Sequence, residues 1–167
     1  IKGRVATPLS FAGSSERTKS QIEGTFRRQL AILERHLGPR PYLLGGRPAL
    51  ADFGLYAQLY QCSSDPTPGA IIRADAPRVL AWIERMLTPR TEGPFEPWAA
   101  LAPTLRPLLA DEVGRVFLPW TAANARALAA GEKTFTLTLD GAPFSQETQR
   151  YHPKSFGALR ARPPPHR

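Results

Sequence analysis

The sequence predicts a mainly α fold: a helical bundle with an appended C-terminal β-hairpin and a short tail helix. Two observations carry that prediction. As far as about residue 130, apolar residues recur at steps of three and four, the pattern of helices that bury one face. Near residue 134 the period drops to two, and threonines alternate with large apolar groups up to an Asp-Gly turn. The expected organisation is an irregular segment over residues 1–14, a bundle over 15–131, and a hairpin with a basic tail over 132–167.

Gly3, Pro8 and Gly13-Ser14 break any period at the start. The first helix is expected from about Ser15 to Leu37, with Ile22, Phe26, Leu30, Leu33 and Leu37 as its apolar stripe. Glu16, Arg17, Lys19, Arg27, Arg28, Glu34 and Arg35 form the solvated side, and Gly38-Pro39 ends the helix. His36 falls in the last turn, where the helix dipole favours a cation. No catalytic role is expected of it.

The stretch Tyr42–Cys62 organises the rest. An apolar triplet, Tyr42-Leu43-Leu44, leads into the turn Gly45-Gly46-Arg47-Pro48. A helix over about 50–61 follows, with Leu50, Phe53, Tyr56, Leu59 and Tyr60 on one side, expected to be buried on more than one side. With Ala49 as N-cap, Asp52 stands at N3, where its carboxylate can accept the cap residue's N–H and meet the positive end of the dipole. Pro48 is expected to pack on Phe53 as a hydrophobic staple.

Ser63 to Gly69 reads as a loop rich in turn residues, with Asp65 before Pro66 starting the turn. A helix is expected from Pro77 to about Leu87, with Val79, Trp82 or Ile83, and Met86 facing the core. Thr88–Pro97 is a second loop. From Leu101 to Ala130 the stripe Leu105, Leu108, Leu109, Val113, Val116, Phe117 and Trp120 gives one long helix or two, kinked or divided at Pro119 and closed by Gly131. Thr134–Leu139 is a strand, Asp140-Gly141 a turn, and Ala142–Gln146 the return. Pro153 suits the first turn of a tail helix running to about Arg162, and Pro163-Pro164-Pro165 ends it in an expected disordered tail.

The run Leu43-Leu44-Gly45-Gly46, followed by Pro48-Ala49-Leu50-Ala51-Asp52-Phe53, resembles the C-terminal domain of the glutathione S-transferase family. The resemblance covers about residues 15–88. In that family an apolar pair, a glycine and a short turn precede Ser/Thr-x-x-Asp, which opens a buried helix. Ala49 stands where the family has Ser or Thr, so half of the reciprocal capping box is missing, at a cost of about 0.5–2 kcal/mol.

The resemblance implies a function. Such transferases join an N-terminal thioredoxin-like domain, which binds glutathione and favours its thiolate, to this helical domain, which lends a wall of the electrophile pocket. It also implies glutathione as co-substrate, a small electrophilic substrate, a homodimer and a cytoplasmic location. Nothing in the chain reads as a thioredoxin-like βαβ unit. The start at Ile1 is also expected to cut off the family's first helix of this domain. The expectation is therefore a bacterial-type domain, inactive alone, that leaves apolar surface uncovered. The alternative is a non-catalytic interaction or scaffold module of the same fold, as in translation-associated proteins. A relative with lyase, isomerase or dehalogenase activity also stays open.

Composition sets outer limits. Hydrophobic content of 42% and charged content of 22% are ordinary for a globular protein, and no apolar run approaches the ~20 residues of a membrane span. The single cysteine, Cys62, excludes an internal disulfide and reads as a small buried hydrophobe rather than a nucleophile. A net charge of +8 could attract nucleic acid, but the basic residues are spread along the chain and no nucleic-acid-binding motif is present, so none is expected as a partner. His36, His152 and His166 are too dispersed for a metal site, and Gly45-Gly46 lacks the Lys-Ser/Thr of a phosphate loop.

No residue is assigned to catalysis. The candidate substrate-binding residues are aromatic or cationic. Tyr56, Tyr60 and Trp120 are either pocket aromatics or plain core. Gln149, Arg150, Tyr151, His152 and Lys154 concentrate polar and cationic groups after the hairpin. They form either a solvated tail or a contact for an anion such as a glutathione carboxylate.

Overall fold

In the computed structural model the described residues are 18–162. They fall into two compact units, one of residues 23–109 and one that joins 18–22 to 110–162. The division falls inside the helical run expected to belong whole to the bundle, because the last helix of that run packs with the hairpin instead.

In the 23–109 unit, α1 (Lys19–His36, shared at its first turn) is followed by α2 (Leu50–Ser64), α3 (Pro66–Asp75), α4 (Pro77–Arg85) and α5 (Trp98–Pro107). Leu30, Leu33 and Leu37 of the predicted α1 stripe are buried, and they meet Tyr42, Leu59, Ile72, Val79, Trp82 and Met86 in one core. Glycines let the chain close on itself between α2 and the loop before α5. Gly45 sits at φ +121°, and a Cβ on Gly46 would come 2.5 Å from the Gly93 backbone. There Gly46 donates to the Pro94 carbonyl and accepts from Gly93, each at 2.8 Å.

Two expectations fail here. The loop predicted at Ser63–Gly69 is helical except at Asp65, with α2 running to Ser64 and α3 starting at Pro66, and α3 buries Ile71 and Ile72. Asp65 is its N-cap, accepting from Thr67 N at 3.0 Å, and Pro66 occupies the first turn, where no N–H is required. Residues that signal a turn also start helices, which is why the period reading missed it. Gly69 fits because a Cβ there would lie 2.5 Å from the Ser63 carbonyl oxygen. The second failure concerns α2, which buries only Asp52 and Leu59. Leu50 is 90% exposed, Phe53 48% and Tyr60 45%. Of the predicted apolar side, Leu59 joins the core and Tyr56 packs against it, while Leu50, Phe53 and Tyr60 stay largely exposed.

Two residues follow α5 before the chain passes into the second unit, at Ala110. The run expected as one helix or two is divided: a π-helical stretch (Leu108–Phe117) leads into α6 (Leu118–Ala129). Pro119 lies in the first turn of α6 and has no N–H to give, so the α-type ladder is interrupted near the predicted point. The hairpin is as expected: β1 (Thr134–Leu139) pairs antiparallel with β2 (Ala142–Glu147), from Thr134↔Glu147 to Leu139↔Ala142. Asp140 and Gly141, at φ 51° and 76°, make the two-residue turn whose twist matches the strands. Phe135, Leu139 and Phe144 face inward and the threonines outward. Phe135 joins Ala123, Ala127, Trp120 and Leu137 in a small second core. α7 (His152–Arg160) follows, with Pro153 in its first turn. The expectations for residues 1–17, for Pro163-Pro164-Pro165 and for His166 lie outside the described residues.

Candidate functional site

Asp52 is the polar centre of the 23–109 unit. Its carboxylate is fully buried, and three donors from separate segments converge on it. Oδ2 accepts from Ala49 N at 2.9 Å, the predicted reverse half of the capping box. Ala49 has no acceptor to return. Oδ1 accepts from Leu43 N at 2.8 Å and from Trp82 Nε1 at 3.1 Å. One carboxylate thus starts α2, holds the strand-like residues before it and fixes the indole of α4. A buried charge is tolerated when donors satisfy it in this way. Glu34 acts similarly from α1: it accepts from Arg78 N at 2.9 Å and Val79 N at 3.0 Å, and so serves the start of α4, where Ala76 cannot.

His36 stands in the last turn of α1, but its surroundings work against the cation that the helix dipole favours. It is fully buried, with Nε2 2.8 Å from the Leu43 carbonyl oxygen and Nδ1 2.7 Å from Thr104 Oγ1. Burial pushes its pKa below the ordinary histidine value and Arg40 adds to the shift, against the opposing Leu43 carbonyl. Arg40 binds Glu96 at 2.9 Å and donates to the Ala100 carbonyl at 2.8 Å. Cys62 is half-buried, and burial followed by the charge of Asp65 pushes its thiol pKa up. That shift disfavours the thiolate a nucleophile needs.

In the second unit, Trp120 and His152 come together. Their rings lie edge to face with centroids 4.7 Å apart, and Trp120 also meets Phe135 and Phe117. Trp120 Nε1 donates to Gln146 Oε1 at 3.1 Å. Beside it, fully buried Asn124 clasps one residue of chain: its Nδ2 donates to the Gln149 carbonyl at 2.9 Å, and its Oδ1 accepts from Gln149 N at 2.7 Å. The clasp holds the start of the tail against α6.

The other proposed binding residues are placed more openly. Tyr56 and Tyr60 meet on α2 at a tilt of 42°, with centroids 5.4 Å apart and Tyr56 half-buried. Arg150 and Lys154 are exposed, and Tyr151 is 86% exposed. Among the described residues no group of three His, Cys, Asp or Glu side chains could hold a metal ion, and no helix is long and apolar enough to cross a membrane.

Residues 16–85 match the family described as Glutathione S-transferase, C-terminal domain. This segment is a glutathione S-transferase C-terminal domain. Neither a curated protein nor a solved structure matches the chain. The transferase-type segment takes in α1 to α4, and so contains Asp52, Leu43, Trp82 and His36, with Thr104 and residues 110–162 beyond it. Its recognisable pattern is the local one around Ala49 and Asp52. The bonds from Asp52 to Leu43 and Trp82, and the clasp of Asn124 on Gln149, carry no motif at all.

Proposed function

We propose that this chain is the helical half of a bacterial-type glutathione transferase. Joined to an N-terminal thioredoxin-like domain, it would form a wall of the electrophile pocket and work as a cytoplasmic homodimer. The observation that carries the reading is the family match over α1 to α4, with the family's N3 aspartate engaged as Asp52. The division of labour follows from chemistry. Conjugation needs a stabilised glutathione thiolate, and Cys62, whose thiol is held protonated, supplies no alternative nucleophile. Glutathione would therefore be bound mainly by the partner domain. Tyr56 and Tyr60 are proposed as pocket aromatics, and so separately is Trp120 with His152. Arg150, Tyr151 and Lys154 are proposed contacts for a glutathione carboxylate.

A scaffold module is the second reading, favoured by the apolar side chains that α2 exposes. Calorimetric titration of glutathione distinguishes the two, on this chain alone and on the full product of its gene. Heat of binding from the full product only is the expected result. Absence of binding from both overturns the transferase reading in favour of the scaffold.

A further inference from the structure

His36 closes α1 with both ring nitrogens bonded to other segments, and the chemistry of those partners fixes its protonation. The Leu43 carbonyl can only accept, so Nε2 carries the hydrogen. In the neutral ring Nδ1 is then an acceptor, and the Thr104 hydroxyl, 2.7 Å away on α5, must donate to it. Arg40 ties the same place from the other side, donating to the carbonyls of His36 at 3.3 Å and Ala100 at 2.8 Å. Together these bonds join the end of α1, the Leu43 segment and α5 at one side chain.

A second proton reverses one of them. Nδ1–H becomes a donor, and the Thr104 hydroxyl must swing to its remaining acceptor, the Leu101 carbonyl, 3.3 Å away. The new positive charge is buried and faces the Arg40 guanidinium. The two carboxylates that act on the ring are already engaged, Glu96 by Arg40 and Asp52 by three N–H donors. We propose that His36 is an acid-sensitive latch, whose protonation loosens the hold of α1 on α5 within the 23–109 unit.

The direction agrees with the ring's lowered pKa: the unfolded chain binds this proton more readily than the folded one. Stability from the neutral ring is thus present above the ordinary value and is lost as pH falls toward the folded one. The test is a pair of melting curves against pH for the 167-residue chain and His36→Gln, whose amide can donate to Leu43 and accept from Thr104 without titrating. The parent is expected to lose a few degrees of melting temperature relative to the variant between about pH 7 and 5. Amide protection across residues 98–107 should fall over the same range. Carboxylates titrate alike in both proteins, so parallel curves overturn the latch. A nitrogen-15 titration of the parent's own ring decides the matter even if the variant does not fold. Neutral Nε2–H imidazole persisting below about pH 6.5 supports the latch, and a midpoint at or above that value overturns it.

Discussion

Each compact unit has a buried polar side chain that satisfies backbone groups of another segment, Asp52 in one and Asn124 in the other, and the two differ in what they can grip. Asp52 only accepts, so it gathers donors: two backbone N–H groups and an indole. It therefore suits a helix start, where donors are left over. Asn124 both donates and accepts, so it can take the place of a neighbouring strand for a single residue, Gln149. A carboxylate organises several segments around a point, whereas an amide fastens one segment of extended chain. The sequence neighbours of each say little about this division, which lies in the chemistry of the terminal atoms.

The sharpest way to break the comparison is Asp52→Ala, which strips the partner from three donors at once. With about 1–3 kcal/mol for each buried group left unsatisfied, the loss should exceed about 3 kcal/mol in urea unfolding. A loss below about 1 kcal/mol would show that Asp52 is no hub. Asn124→Asp exchanges the chemistry of one centre for that of the other. A carboxylate cannot donate to the Gln149 carbonyl, so a cost of about 1–3 kcal/mol is expected, with faster amide exchange over residues 149–160. Unchanged exchange there would mean that the clasp is not what holds the tail. The smallest effect belongs to Ala49→Ser, which restores the missing half of the capping box at an extended N-cap, φ −115° and ψ 169°. A gain of about 0.5–2 kcal/mol is expected, and a lower melting temperature would show that Asp52 leaves no room for a reciprocal bond.

What could be read from the sequence was short in range. Asp52 and Ala49 are three residues apart, and the alternation from Thr134 to Leu139 needs no knowledge of any distant partner. The bond from Asp52 to Trp82 spans 30 residues, and Glu34 reaches 44 residues to cap α4. Nothing in the local pattern encodes either. His36 shows the same limit: its place near a helix end was legible, while the Thr104 hydroxyl that meets its Nδ1 lies 68 residues away. Leu50, Phe53 and Tyr60 show a different limit. Spacing says that they share a side, but not that anything covers it. The aromatic candidates were legible as residue types, and the pairing of Trp120 with His152 was not.

The Asp140-Gly141 turn also has a consequence in time. Its two residues already sit in the left-handed backbone region that brings the strands together, and every β1–β2 pair closes within 14 residues of chain, from Thr134 to Glu147. Hairpins of this kind form in about 1–10 μs. The clasp between Asn124 and Gln149 must close a loop of 25 residues, with the hairpin inside it. A hairpin that forms first shortens the effective span of that loop and lowers its entropic cost. The stability of the early hairpin thus feeds into the later closure, and weakening the turn should slow the docking of the tail.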